Sequence, residues 1–232
     1  TLSGERPSGP DEANIEHPET EVKTLQSVEG IATNIQRTDR GLGSYEEIFG
    51  PLLAEVENKI VIDLGSGPTQ RFAREIKAWY KPKMVVSVDP FLEEKHSEHA
   101  IKARVEELPF PDESVDLIYS NNSIPQYLRT RESILHSLDE IIRVLKPEGK
   151  ANLFPLAYMP IPKEEKDEHY PAHYDDDPNF FDKIIKTLID KYEEAISVRL
   201  QNTGIARPSL VNAGEHIEAK KLLIKKMKSL KQ

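Results

Sequence analysis

The sequence predicts an α/β domain with a mainly parallel sheet, and three features predict it. Short β-branched apolar runs recur along the chain, stretches of helical periodicity alternate with them, and the first run stops at a pair of glycines. Repeated strand–helix units call for parallel strands joined by right-handed crossovers. With 232 residues, one decorated domain fits better than two equal ones.

The elements follow in order. Residues 1–43 form an N-terminal arm, because the stretch to about residue 28 is rich in Pro, Glu, Ser and Thr with no periodic apolar positions. The domain proper is expected over 44–232. Tyr45, Ile48, Phe49, Leu52, Leu53 and Val56 recur at helical spacing, with Ser44 and Glu47 able to form a capping box, so one helix is expected over 44–56. Lys59–Leu64 reads as a strand buried on both faces. A helix over 70–79 and a second strand over 84–89 complete the first unit, and Pro90 ends that strand. Further strands are expected over 115–120, 150–156, 196–201 and 221–226, with helices over 131–145 and 180–194. No strong crossover helix is needed between the last two strands, so they can pair antiparallel at the sheet edge.

Composition narrows the function classes. No uncharged apolar run approaches the roughly 18 residues of a membrane span, and the N-terminal residues have neither the basic start nor the apolar stretch of a signal peptide. A soluble protein with a cytoplasmic location is the expectation. The absence of cysteine excludes disulfides, thiolate metal ligands and a thiol nucleophile. A net charge of −9 argues against an extended grip on nucleic-acid phosphates, which depends on lysine and arginine. The lysine-rich segment 220–231 is the local exception: it reads either as an edge strand with outward lysines or as a patch for nucleic acid or an acidic protein partner.

The chemistry concentrates in the turn Asp63-Leu64-Gly65-Ser66-Gly67-Pro68-Thr69. Its glycines allow backbone dihedrals and close approaches denied to other residues. In a parallel α/β sheet this turn lies at the carboxyl ends of the strands, beside the crevice where ligands bind. Asp89 ends the second strand, 26 residues after Asp63, where a carboxylate can accept hydrogen bonds from both hydroxyls of a ribose.

The ordered segments VIDLGSGP, VVSVDP, VEELPFPDESVDLIYSNNSI and LDEIIRVLKPEGKANLF resemble those of class I S-adenosylmethionine (SAM)-dependent methyltransferases, most closely the methyltransferase type 11 group. The resemblance covers residues 44 to 228. It implies a Rossmann-like class I methyltransferase fold with a seven-stranded, mainly parallel sheet whose last strand is antiparallel. It also implies SAM as cofactor. By that resemblance Asp63, Gly65, Ser66 and Gly67 shape the pocket for the methionine part, and Asp89 with Pro90 lies at the ribose. Val105 and Glu106 lie near the adenine, and Ser120 with Asn121 near the sulfonium. Leu108, Pro109 and Phe110 support that wall. Arg37, Arg40 and Tyr45 are candidates for a lid over the cofactor. Two residues depart from the pattern, Thr69 in place of the third glycine and Arg104 in place of an acid.

If catalytic, the reaction is in-line displacement of a methyl group, in which alignment of nucleophile, carbon and sulfur is the main contribution of the protein. The acceptor is expected to be a small molecule, since SNNSIPQY does not resemble the NPPY or DPPY signature of amide and exocyclic-amine methylation. No catalytic residue is assigned. Asn122, Gln126 and Tyr127 are the residues to examine on the substrate side, and 157–182 is expected to form a substrate-side loop. His169, His173 and Asp175 to Asp177 in that loop, and His96 with His99, read as solvated rather than metal-binding, so no metal is expected. A nicotinamide-dependent oxidoreductase fits poorly, because Gln70 stands where its fingerprint requires glycine. The alternative of another class is a noncatalytic binding or scaffold protein built on the same fold. An intact cleft of SAM size would favour the enzyme, and a cleft filled by Thr69, Arg104 or neighbouring side chains would favour the alternative.

Overall fold

The computed structural model describes residues 40–51, 53–92, 99–125, 128, 130–156, 179–208 and 216–230. The chain divides into units at Thr1–Asn34 and Ile35–Gln232, and every described residue belongs to the second. Residues 1–39 of the expected arm, Arg37 among them, lie outside the described residues.

Within the second unit, helix α1 spans Leu42–Phe49 and α2 spans Leu53–Val56. The single helix expected over 44–56 is therefore two. Gly50, at φ 87°, takes a conformation closed to the helix, and Pro51 follows it. The expected capping box is also corrected: Gly41 is the N-cap, and Ser44 lies inside α1.

Strand β1 (Ile60–Leu64), helix α3 (Arg71–Trp79) and strand β2 (Met84–Val88) form the first crossover unit. Strand β3 (Ala100–Ile101) pairs in parallel with β2, and β4 (Val115–Asn121) pairs in parallel with β1. Helix α4 (Arg131–Val144) begins with a reciprocal capping box between Thr130 and Ser133. Strand β5 spans Leu145–Leu156 and starts earlier than expected, because Leu145 already pairs with Val115. The register then shifts, so that Leu117 pairs with Lys150 and Lys146-Pro147-Glu148-Gly149 forms the irregularity. Helix α5 (Phe180–Tyr192) leads to β6 (Ile196–Pro208) and β7 (His216–Lys226). Asn179 occupies the N-cap position of α5 without a side-chain capping bond.

The seven strands lie in the order β3-β2-β1-β4-β5-β7-β6. Strand β7 runs antiparallel to both β5 and β6, and the other neighbouring strands are parallel. The last two strands do pair antiparallel, yet β7 lies one place inside the sheet and β6 takes the edge. That corrects the reading of the lysine segment as an edge strand.

Alternation along the strands divides the interior. Ile62, Leu64, Val86, Val88 and Ile118 pack with Ile134, Leu138 and Ile141 of α4 and with Ile184 and Leu188 of α5. Val61, Val85, Leu117 and Tyr119 pack on the opposite face with Tyr45 of α1 and Phe72, Ala73 and Ile76 of α3. Asp63 and Ser87 share the parity of this second, smaller cluster, whereas Val105 packs with the first.

The lysines of the C-terminal segment are largely used within the fold. Lys225 pairs with Glu148 at 2.5 Å, Lys228 with Glu194 at 3.8 Å, and the buried Lys226 with Glu113 at 3.2 Å. Lys221 is buried and donates to the Ile48 carbonyl at 2.9 Å. Lys220 and Lys228 remain exposed, and Lys231 lies outside the described residues.

Candidate cofactor site

Asp63 belongs to β1, in register with Ser87 of β2 and Tyr119 of β4. Its side chain is fully buried. One oxygen, Oδ1, accepts a 2.5 Å hydrogen bond from the Tyr45 hydroxyl, while the buried Oδ2 has no partner among the described residues. Burial pushes the Asp63 carboxyl up to about 7; the Tyr45 bond acts against that rise, and the nearby Asp89 charge adds to it. Tyr45 itself is held far above its ordinary value, mainly by burial and then by the Asp63 charge.

That phenol is placed by aromatic packing. Tyr45 stacks on Phe72 with ring centroids 3.8 Å apart, and Tyr119 meets Phe72 edge-on at 5.9 Å. Tyr45 is only 2% exposed, so it is an interior clamp on Asp63 and not the lid residue expected from the resemblance. Sequence periodicity marked it as apolar, but nothing in spacing alone revealed its partner 18 residues on.

The turn after β1 needs its glycines. Gly65 and Gly67 both lie at φ 71°, in the left-handed region. A Cβ on Gly65 would fall 1.9 Å from Ser123 Oγ, so the space this glycine leaves is taken by the loop after β4. Ser123 was not singled out by the sequence. Gln70, also left-handed at φ 53°, supplies the N-cap position of α3, while Thr69 is exposed. Ser66 is buried, and its hydroxyl donates to the Gly67 carbonyl at 3.3 Å.

Asp89 ties the second strand to this turn. Its Oδ2 accepts from the Gly67 N–H at 3.1 Å and its Oδ1 from the Phe91 N–H at 2.8 Å. Each carboxylate oxygen retains acceptor capacity beyond one such bond. Pro90 is exposed at the strand end.

The remaining wall has a distinct support. Val105 is buried and Glu106 half-buried; Arg104, itself exposed, turns to Glu106 and bonds it at 2.8 Å. Arg143 of α4 holds the backbone beyond them, donating to the Leu108 and Phe110 carbonyls at 3.0 and 2.9 Å and to Asp112 at 2.7 Å. Glu140 accepts from Arg143 Nε at 2.7 Å and from the Leu108 N–H at 2.9 Å. Leu108 is buried, Phe110 packs against the core, and Pro109 is exposed.

At the end of β4 the Ser120 hydroxyl is buried and accepts from the Ile124 N–H at 2.9 Å. The Asn121 amide donates to Ser44 Oγ at 3.1 Å and accepts from Asn122 Nδ2 at 2.7 Å. Asn122 is left-handed at φ 58°, and its N–H meets the Phe154 carbonyl at 2.6 Å. Gln126, Tyr127 and residues 157–178 of the expected substrate-side loop lie outside the described residues, as does His96. The structure therefore brings Asp63, Gly65, Ser66, Gly67, Asp89, Ser120, Asn121 and Asn122 to the carboxyl ends of β1, β2 and β4, with Val105 and Glu106 following β3.

Residues 62–153 match the model of a family described as a methyltransferase domain. The fold is that of the class I SAM-dependent methyltransferases. A SAM-dependent methyltransferase from Methanosarcina mazei is 16% identical, with a TM-score of 0.50 over 75% of this chain and 94% of that one. Phosphoethanolamine N-methyltransferase 1 of Haemonchus contortus, solved with phosphoethanolamine and S-adenosylhomocysteine, is 19% identical, with a TM-score of 0.51 over 82% of this chain. This chain spans 43% of that enzyme. No curated protein matches the sequence.

Proposed function

We propose that the protein transfers a methyl group from SAM to a small-molecule acceptor. The observation that carries this reading is the pairing of a buried carboxylate oxygen without a partner, Asp63 Oδ2, with a glycine turn pinned by Asp89. A buried acceptor of this kind calls for a donor, and the ammonium group of the methionine part is a suitable one. Asp89 has acceptor capacity left for the ribose hydroxyls. Val105 supplies an apolar wall for the adenine, and Ser120, Asn121 and the backbone they fix border the sulfonium. When bound, SAM supplies an electrophilic methyl carbon. The chain contributes alignment: it fixes the donor between Asp63 and Asp89 and leaves the end of β4, with Asn122, to face the acceptor.

The noncatalytic reading drew its support from two departures that would obstruct a cleft. Thr69 and Arg104 are both exposed, with Arg104 bonded to Glu106, so neither side chain is buried within the site. The enzyme reading is the better supported.

The test is calorimetric titration of SAM and S-adenosylhomocysteine into the wild type and Asp89→Ala, with NAD as control. Removing the charged acceptor is expected to weaken both cofactors at least about hundredfold. Absence of binding to the wild type would sink the reading and favour a scaffold role.

A further inference from the structure

A concavity lies beside the glycine turn, between α3 and the face of β2 that carries Val85 and Ser87. Its volume is about 320 Å³, enough for a small molecule. Gln70, Ala73, Arg74 and Lys77 line it from α3 at spacings that put them on one helical face. Arg74 and Lys77 are both exposed, and among the described residues neither has an ion-pair partner. Among the described residues no acidic side chain lines the cavity. The nearest acid on the helix, Glu75, is committed to Arg71 and to the Leu42 N–H. Arg74 and Lys77 are thus the charged groups of the described lining.

At its base lies a polar group with an unmet need. Ser87 is fully buried, lines the cavity, and its hydroxyl has no hydrogen-bond partner among the described residues. Buried hydroxyls are ordinarily partnered, because stripping them of water is costly. The Ser87 N–H already meets the His99 carbonyl at 2.8 Å, so strand pairing satisfies the backbone and leaves the side chain for something else.

We propose that this cavity is a binding site for a small phosphate-bearing ligand, with the Ser87 hydroxyl at its base and Arg74 and Lys77 at its mouth. A phosphate offers several acceptor oxygens at once, which matches a guanidinium, an ammonium and a hydroxyl converging from two elements. The site is separate from the proposed cofactor cleft: it shares the turn's Pro68, Thr69 and Gln70 but neither Asp63 nor Asp89.

The experiment is titration of inorganic phosphate into the full chain at constant ionic strength, with chloride as control, repeated at saturating S-adenosylhomocysteine. The variants are Arg74→Gln/Lys77→Gln, which changes only exposed groups, and Ser87→Ala, which removes the buried hydroxyl without adding volume. Saturable phosphate binding is expected in the wild type and unchanged by S-adenosylhomocysteine. It should weaken about tenfold in the double variant and severalfold in Ser87→Ala, with cofactor affinity retained in both. Absence of saturable binding, equal binding by wild type and variants, or competition between phosphate and S-adenosylhomocysteine would each overturn the proposal. Loss of cofactor binding alone would count against the methyltransferase reading and leave this one standing.

Discussion

A carboxyl held near 7 within the proposed cofactor site would make binding sensitive to ordinary pH. Asp63 is protonated in part at neutrality because burial disfavours its charge, and Tyr45 supplies the one bond that opposes this. A cationic ligand group at Oδ2 would favour the ionised form, so SAM affinity is expected to rise as pH increases from about 6 to 8. Titrations across that range, on the wild type and Asp63→Asn, check this; a flat wild-type profile would refute it. Stability without ligand runs the opposite way. The folded value lies above the ordinary 3.8, so the contribution of this group is complete below 3.8 and is lost as pH rises through about 7. Urea unfolding between pH 4 and 8 should show that decline in the wild type and not in Asp63→Asn. Tyr45→Phe removes the opposing bond and should move both profiles upward in pH.

At the scale of elements, β7 explains why its lysines are where they are. Lys221 donates to the Ile48 carbonyl at the C-terminal turn of α1, and Lys226 to the Ile142 carbonyl at the C-terminal turn of α4, 3.2 Å away. Helix C-terminal carbonyls lack intrahelical donors and carry partial negative charge, so a cation there meets two needs. The two lysines point to opposite faces of the sheet, as their odd and even positions require. Thr130 serves the other end of α4, and Thr130→Ala is expected to cost about 1 kcal/mol in chemical denaturation. Such pairings explain what the sequence could and could not reveal. The runs 60–64, 84–88 and 115–121 and the glycine turn were readable because their signals are local. Strand β3 was not, since two residues carry no periodicity, and the break at Gly50 was overridden by an apolar pattern that continues on both sides. The Tyr45–Asp63 bond, the Arg143 cluster and the lysine caps depend on partners 18 to 173 residues distant, or on a turn's backbone carbonyls, and no spacing rule reaches them.

Within the second unit, α4 and α5 cover the larger cluster on one face, where Val105 also packs, while Tyr45 and Phe72 pack on the face that carries Asp63. Stability and cofactor affinity should therefore respond to different substitutions. Lys226→Met keeps the apolar stem but leaves the Ile142 carbonyl without its donor, a loss of roughly 1–3 kcal/mol, or several degrees in Tm for a chain of this length. Its distance in the sheet order from β1, which leads into the turn, with β5 and β4 between, predicts that the cofactor-induced rise in Tm survives. A ligand at about 100 times its Kd stabilises by about 2.7 kcal/mol, so the rise is measurable against the lowered baseline. Asp89→Ala should behave the other way, with the ligand-induced rise abolished whatever the change in unliganded Tm. Thermal melts of both variants, with and without S-adenosylhomocysteine, decide the matter: loss of the rise in Lys226→Met would mean that the far side of the sheet is coupled to the turn, and that the two faces act as one unit.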